Sequence, residues 1–139
     1  MNLPFDTLSV DIDWVMDYEG QVFSCRARVK IRVGDFIRYA YETSTRGQIN
    51  AFDLALRKVL TEFYPFINDI ELVKYEVSLL GEEKGTNAHI KVKITLRYKE
   101  REWSNEVIGA DLVSASIESL SNCYKSAIID LSEPQGGIS

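Results

Sequence analysis

The hydrophobic period of this chain changes at Gly47, and the same change recurs at Gly109. Ahead of Gly47 apolar residues alternate with polar ones, the two-residue period of a half-buried strand. Beyond it they recur three and four apart, the period of a helix buried on one side. Over residues 7–16, Leu8, Val10, Ile12, Trp14 and Met16 alternate with Ser9, Asp11 and Asp13. Asp17-Tyr18-Glu19-Gly20 reads as a turn. Over residues 22–33, Phe23, Cys25, Ala27, Val29, Ile31 and Val33 point inward, and Ser24, Arg26, Arg28, Lys30 and Arg32 outward. Gly34-Asp35 makes a short hairpin turn into a third strand, Phe36 to about Thr43. Then Phe52, Ala55, Leu56, Val59, Leu60 and Phe63 form one helical stripe. Asn50 is placed as its N-cap, Asp53 lies in its first turn, and Pro65 ends it.

The order then repeats. Val73, Tyr75, Val77 and Leu79 alternate with Lys74, Glu76 and Ser78, and Gly81 to Gly85 is a polar loop. Ile90, Val92, Ile94, Leu96 and Tyr98 alternate with Lys91, Lys93, Thr95 and Arg97. Lys99-Glu100-Arg101-Glu102 turns into a strand from Trp103 to Ile108. After Asp111 the helical stripe is Val113, Ile117, Leu120, Tyr124, Ala127, Ile128 and Leu131. The pattern is βββα twice. Val29-Lys30-Ile31 matches Val92-Lys93-Ile94, and Gly47 matches Gly109, so the reading is an internal duplication. The alternative is coincidence between amphipathic strands; the matched strand–strand–Gly–helix order argues against it. The expected fold is α+β, with antiparallel strands packed against helices at about 50–64 and 111–131. The expected organisation is a single domain over 1–139, with one repeat at about 7–65, a second at about 70–131 and a loose tail over 132–139.

A chain of 139 residues, 45% hydrophobic and 27% charged, can bury a core without a metal or a disulfide. Its formal net charge of −5 gives it no electrostatic reason to seek nucleic acid or an anionic membrane. Cys25 and Cys123 form no CxxC spacing and sit among apolar neighbours, so they read as two buried free thiols in a reducing cytoplasm. No apolar run reaches a membrane span, and Met1 to Asp6 lacks the pattern of a signal peptide. The single histidine, His89, lies on the polar side of an alternating segment, which leaves no His pair for a metal and reads as a solvated strand residue. No catalytic residue, metal site or cofactor is expected.

Two features could bind something. The first is the ribbon Arg26, Arg28, Lys30 and Arg32, read as a solvated face paired with Asp11 and Asp13 of the first strand and Glu42 of the third, without exposed aromatics beside it. The second is the pair of loops entering the helices, Thr45 to Ala51 and Val107 to Leu112. Each contains a glycine followed by the free N–H groups of a helix start, which favour a carboxylate or phosphate. An Asp or Asn in the same loop could hold an ammonium. On physical grounds alone, these residues could equally do no more than cap their helices.

Three stretches together resemble a known family: Gly47-Gln48-Ile49-Asn50-Ala51-Phe52, Gly85-Thr86-Asn87-Ala88 and Gly109-Ala110-Asp111-Leu112-Val113-Ser114-Ala115-Ser116. They are similar to the motifs of the C-terminal regulatory domain of 2-isopropylmalate synthase and citramalate synthase. The family pattern is Gly-Pro-Val-Asp-Ala, Gly-Thr-Asp-Ala and Asp-x-x-x-Ala-Ser. The resemblance covers roughly residues 20–130 and implies two βββα units related by a pseudo-twofold. It implies a non-catalytic, allosteric, homodimeric module of leucine or isoleucine biosynthesis that binds a branched-chain amino acid or analogue. The implied effector residues are Gly47, Gln48, Ile49, Asn50, Ala51, Thr86, Asn87, Ala88, Gly109, Ala110 and Asp111. The chain cannot hold the roughly 250-residue catalytic barrel. It is therefore expected either to act beside a separate catalytic synthase subunit or to be cut from a longer protein. The alternative function is a ligandless dimerisation module or accessory subunit. Gln48 stands where the family has proline, and Asn50 and Asn87 where it has aspartate, which removes negative charge facing an ammonium.

Overall fold

A computed structural model describes residues 3–81 and 89–133. Strands β1 (Asp6–Asp17), β2 (Val22–Val33) and β3 (Phe36–Ser44) precede helix α1 (Gln48–Phe63) and a 3₁₀ turn (Pro65–Asp69). Strands β4 (Glu71–Leu80), β5 (His89–Tyr98) and β6 (Arg101–Gly109) precede helix α2 (Leu112–Ser132). The strands form two antiparallel sheets, β1-β2-β3 and β4-β5-β6. The expected α+β fold of two βββα repeats is therefore the observed one. Contacts divide the chain into two compact units, one ending at Asn68 and the other beginning at Asp69.

In the first unit, Ala27, Val29, Ile31 and Val33 of β2 are buried beneath Ala51, Phe52, Ala55, Leu56, Val59 and Leu60 of α1. These are the helical stripe and the inward set of the alternation. Asp17 shapes the first turn by accepting the N–H groups of Glu19 and Gly20, both at 3.1 Å. Gly34 takes φ 61° in the tight β2–β3 turn, where a side chain would be strained. Tyr64 ends α1, and its hydroxyl donates to the Pro4 carbonyl at 2.8 Å.

In the second unit the buried face of α2 is smaller and more polar than the apolar stripe suggests. Its buried face includes Ala115, Ser116, Ser119 and Cys123, while Val113, Ile117 and Leu131 are only half-buried. Ser119 donates its hydroxyl to the Asn105 carbonyl at 2.7 Å, and Cys123 its thiol to the Ile94 carbonyl at 3.2 Å. Ser116 shares a hydrogen bond with the Tyr75 hydroxyl at 2.6 Å, while the buried Ser121 hydroxyl has no partner.

Each first strand carries a β-bulge, between Thr7 and Ser9 in β1 and between Leu72 and Lys74 in β4. The bulge puts Asp6 opposite Arg32 and Glu71 opposite Arg97, and both pairs form salt bridges, at 3.1 and 3.2 Å. The duplication therefore aligns Asp6, Leu8, Ile31 and Arg32 with Glu71, Val73, Leu96 and Arg97. Val29-Lys30-Ile31 corresponds to Ile94-Thr95-Leu96, two residues beyond the match made from sequence. Among the described residues no helix is long and apolar enough to cross a membrane.

Candidate functional site

Strand length and helix length decide where the first unit is left open. A 12-residue strand runs about 40 Å, whereas the 16 residues of α1 run about 24 Å. The helix covers the sheet from Val33 to Ala27 and stops. Beyond it Cys25 is half-buried, and Phe23, Trp14 and Met16 are 52%, 58% and 45% exposed. The sequence reading points Phe23 and Cys25 inward and sets Trp14 and Met16 on the apolar face of a half-buried strand. Alternation identifies the face correctly but does not show how far the helix reaches. Cross-strand pairing sets Trp14 beside Cys25 and Met16 beside Phe23. The resulting cleft holds about 380 Å³ and is completed by Ser44, Thr45, Gly47 and Gln48 at the start of α1.

Gly47 is the N-cap of α1, with φ 119° and ψ 174°, and its carbonyl accepts the Ala51 N–H at 3.1 Å. Only glycine adopts that backbone without strain, and a Cβ there would point into open space. No side chain caps this helix. Gly47 and Gln48 line the cleft mouth, so the start of α1, with the positive end of the helix dipole, lies beside it. Gln48 and Ile49 open the first turn, and Ala51 is buried. Asn50 is not the N-cap expected from sequence. Its side-chain oxygen accepts the Ser44 hydroxyl at 2.6 Å, and that hydroxyl accepts the Arg46 N–H at 2.9 Å. Asn50 thus ties the end of β3 to the helix and fixes the loop bearing Gly47.

The second repeat is built differently at this point. Gly109 ends β6 with an ordinary φ, so its counterpart by position is not Gly47. The residue equivalent to Gly47 is the N-cap Asp111, whose carboxylate accepts the Ser114 N–H at 2.7 Å. That hydrogen bond holds the Asp111 carboxyl below its usual range. Leu79 and Ile108 are exposed near this end, as is Leu112. Ala110 is exposed between Gly109 and the cap. Thr86, Asn87 and Ala88 lie outside the described residues.

The basic ribbon also departs from its reading in two ways. Asp13 does pair with Arg26, but Glu42 faces α1 and pairs with Lys58 at 3.1 Å. Tyr39 and Tyr41 of β3 stand exposed beside the ribbon, so the face does carry aromatics. Among the described residues no cluster of three His, Cys, Asp or Glu could hold a metal. Cys25 lines the cleft and is only half-buried, while Cys123 is fully buried, its thiol pushed up to about 12 by burial. An apolar cleft ending at uncapped helix N–H groups suits a small amphiphile with an anionic head.

Residues 13–128 match the family model described as the LeuA allosteric (dimerisation) domain. The chain belongs to that family. An (R)-citramalate synthase of Geobacter sulfurreducens is 33% identical over 103 residues, which is 74% of this chain and 19% of that protein. The (R)-citramalate synthase of Aquifex aeolicus is 37% identical over 70 residues, 50% of this chain and 13% of that protein. That of Sulfolobus acidocaldarius is 36% identical over 74 residues, 53% of this chain and 14% of that protein. The LeuA-type domain thus spans about a fifth or less of the length of these relatives. The cleft residues Trp14, Met16 and Phe23 and the helix start at Gly47 all lie inside the matched span.

Proposed function

We propose that this LeuA-type domain binds a branched-chain amino acid, leucine or isoleucine, or a close analogue, and transmits its presence to a synthase of branched-chain amino-acid biosynthesis. The domain itself does no chemistry in this reading. It self-associates as a homodimer in the cytoplasm, and the acyl-transferring reaction belongs to a separate catalytic synthase subunit or to another part of a longer chain. The observation that carries the reading is the cleft between Trp14, Met16, Phe23 and the uncapped helix start at Gly47. An effector carboxylate meets the N–H groups at Gln48 and Ile49, and its branched side chain enters the apolar cleft. Asn50 positions the loop rather than accepting the ammonium, because its oxygen already holds Ser44. Gly109, Ala110 and Asp111, and Thr86, Asn87 and Ala88, enter the proposal through the family resemblance alone.

The test is a thermal-shift and calorimetric titration with leucine, isoleucine, valine and their 2-oxo acids. A ligand at 100 times its dissociation constant adds about 2.7 kcal/mol, a rise on the order of 5–10 °C for a domain of this size. Trp14→Ala and Phe23→Ala should abolish that rise. No shift with any of these compounds at millimolar concentration, in a protein that light scattering shows to be dimeric, favours a ligandless dimerisation module instead.

A further inference from the structure

The outer face of the first sheet holds a second concentration of chemistry. The register lays four rungs across it: Asp13, Arg26 and Thr43; Asp11, Arg28 and Tyr41; Ser9, Lys30 and Tyr39; Asp6, Arg32 and Ile37. The end cations are neutralised. Arg26 donates to both oxygens of Asp13 at 2.8 and 3.0 Å, and Arg32 to Asp6 at 3.1 Å. The middle two differ. Among the described residues Arg28 and Lys30 form no ion pair; they lie over tyrosine rings instead, Arg28 at 5.3 Å from the Tyr41 centroid and Lys30 at 5.8 Å from that of Tyr39. Tyr39 is 72% exposed. Beside them opens a polar hollow of about 280 Å³ lined by Asp11, Ile12, Asp13, Arg26 and Arg28.

We propose that this face binds a nucleoside phosphate, with its phosphates on Arg28 and Lys30 and its base against the Tyr39 and Tyr41 rings. Same-face residues two apart on a strand stand about 7 Å from each other, a spacing at which two cationic side chains can grip one phosphate. The aromatic rings supply a stacking surface within one rung of those cations. Asp11, across the strand from Arg28 and without an ion pair among the described residues, can accept from ribose hydroxyls or a base amine. The same carboxylates, with a net charge of −5, oppose a long polyanion, so the ligand is a mononucleotide rather than a nucleic-acid strand. The site is separate from the cleft at Gly47 and does not depend on that reading.

The test is calorimetric titration of the whole chain with ADP, with pyrophosphate and a ten-nucleotide single-stranded DNA as comparators. ADP should bind in a saturable, salt-sensitive way. Arg28→Ala with Lys30→Ala should weaken it at least about tenfold. Tyr39→Leu should weaken it at least about fivefold while leaving pyrophosphate unchanged. These side chains are exposed, and circular dichroism of each variant verifies that the fold is retained. The proposal is overturned if ADP fails to saturate by 5 mM (on the order of the weakest plausible affinity) or binds the double variant equally well. Pyrophosphate matching ADP would reduce the face to an anion patch, and DNA binding more tightly than ADP would make it a strand-binding surface. A change in mass by light scattering in the double variant, without an effect on ADP, would make the face an interface between copies.

Discussion

Gly47 and Gly109 look interchangeable in sequence, yet alanine should have opposite effects at the two positions. Gly47 takes φ 119° and ψ 174°, a region that costs a residue with a side chain about 1–3 kcal/mol. A Cβ there would meet nothing within 4 Å, so the cost of Gly47→Ala is backbone strain alone. Gly109 has no positive φ, and a Cβ there would rest 3.7 Å from the Ala115 Cβ, an ordinary contact. Alanine at 109 therefore relieves chain entropy without strain, a gain of about 0.4–1 kcal/mol. The difference between the two variants should be about 1.5–4 kcal/mol. Urea titration followed by circular dichroism reads it as midpoints moving in opposite directions at unchanged slope. Equal losses in the two variants would refute the assignment of Gly47 alone to the strained N-cap.

Three further outcomes follow from the geometry. Asp111 titrates below its ordinary value of 3.8 because it caps α2. Its contribution is present above that unfolded value and lost as pH falls through the lower folded one, so Asp111→Asn should flatten the acid limb of a stability profile below about pH 4. A thiol reagent at pH 8 should modify one cysteine per native chain, Cys25, and reach Cys123 only in denaturant, and an effector in the cleft should slow the Cys25 reaction. Leu56→Ala, at a fully buried position under α1, should cost about 2–5 kcal/mol in chemical denaturation, whereas Leu54→Ala, 40% exposed on the same helix, should cost under about 1.

The strand and helix order was legible because each period is a direct consequence of backbone geometry. Pro65 and Asp111 mark boundaries for the same reason: one cannot continue a helix and the other caps one. Asn50 misled because a side chain suited to capping found a nearer partner in Ser44. Trp14 and Phe23 were assigned to the right face and the wrong environment, since exposure depends on where α1 begins, and that is set by Gly47. The tyrosines beside the basic ribbon were missed because neighbours across a sheet are fixed by register, which lies in the pairing of β2 with β3 and not in either strand alone. The sheet-facing Ser116 and Ser119 of α2 were missed because each is held by a hydrogen bond to the sheet, to the Tyr75 hydroxyl and the Asn105 carbonyl, which polarity alone does not reveal.

The paired bulges set how these strands can change over evolution. The bulge absorbs an extra residue, Leu8 in one repeat and Val73 in the other, and so keeps Asp6 and Glu71 facing outward to meet Arg32 and Arg97. Substitution there changes one side chain. Deletion of that single codon removes the bulge and restores regular pairing, with Asp6 still opposite Arg32 or Glu71 still opposite Arg97. The first strand of each repeat can therefore lose one residue at its bulge without turning a neighbouring side chain over, whereas other gains and losses should be confined to the turns.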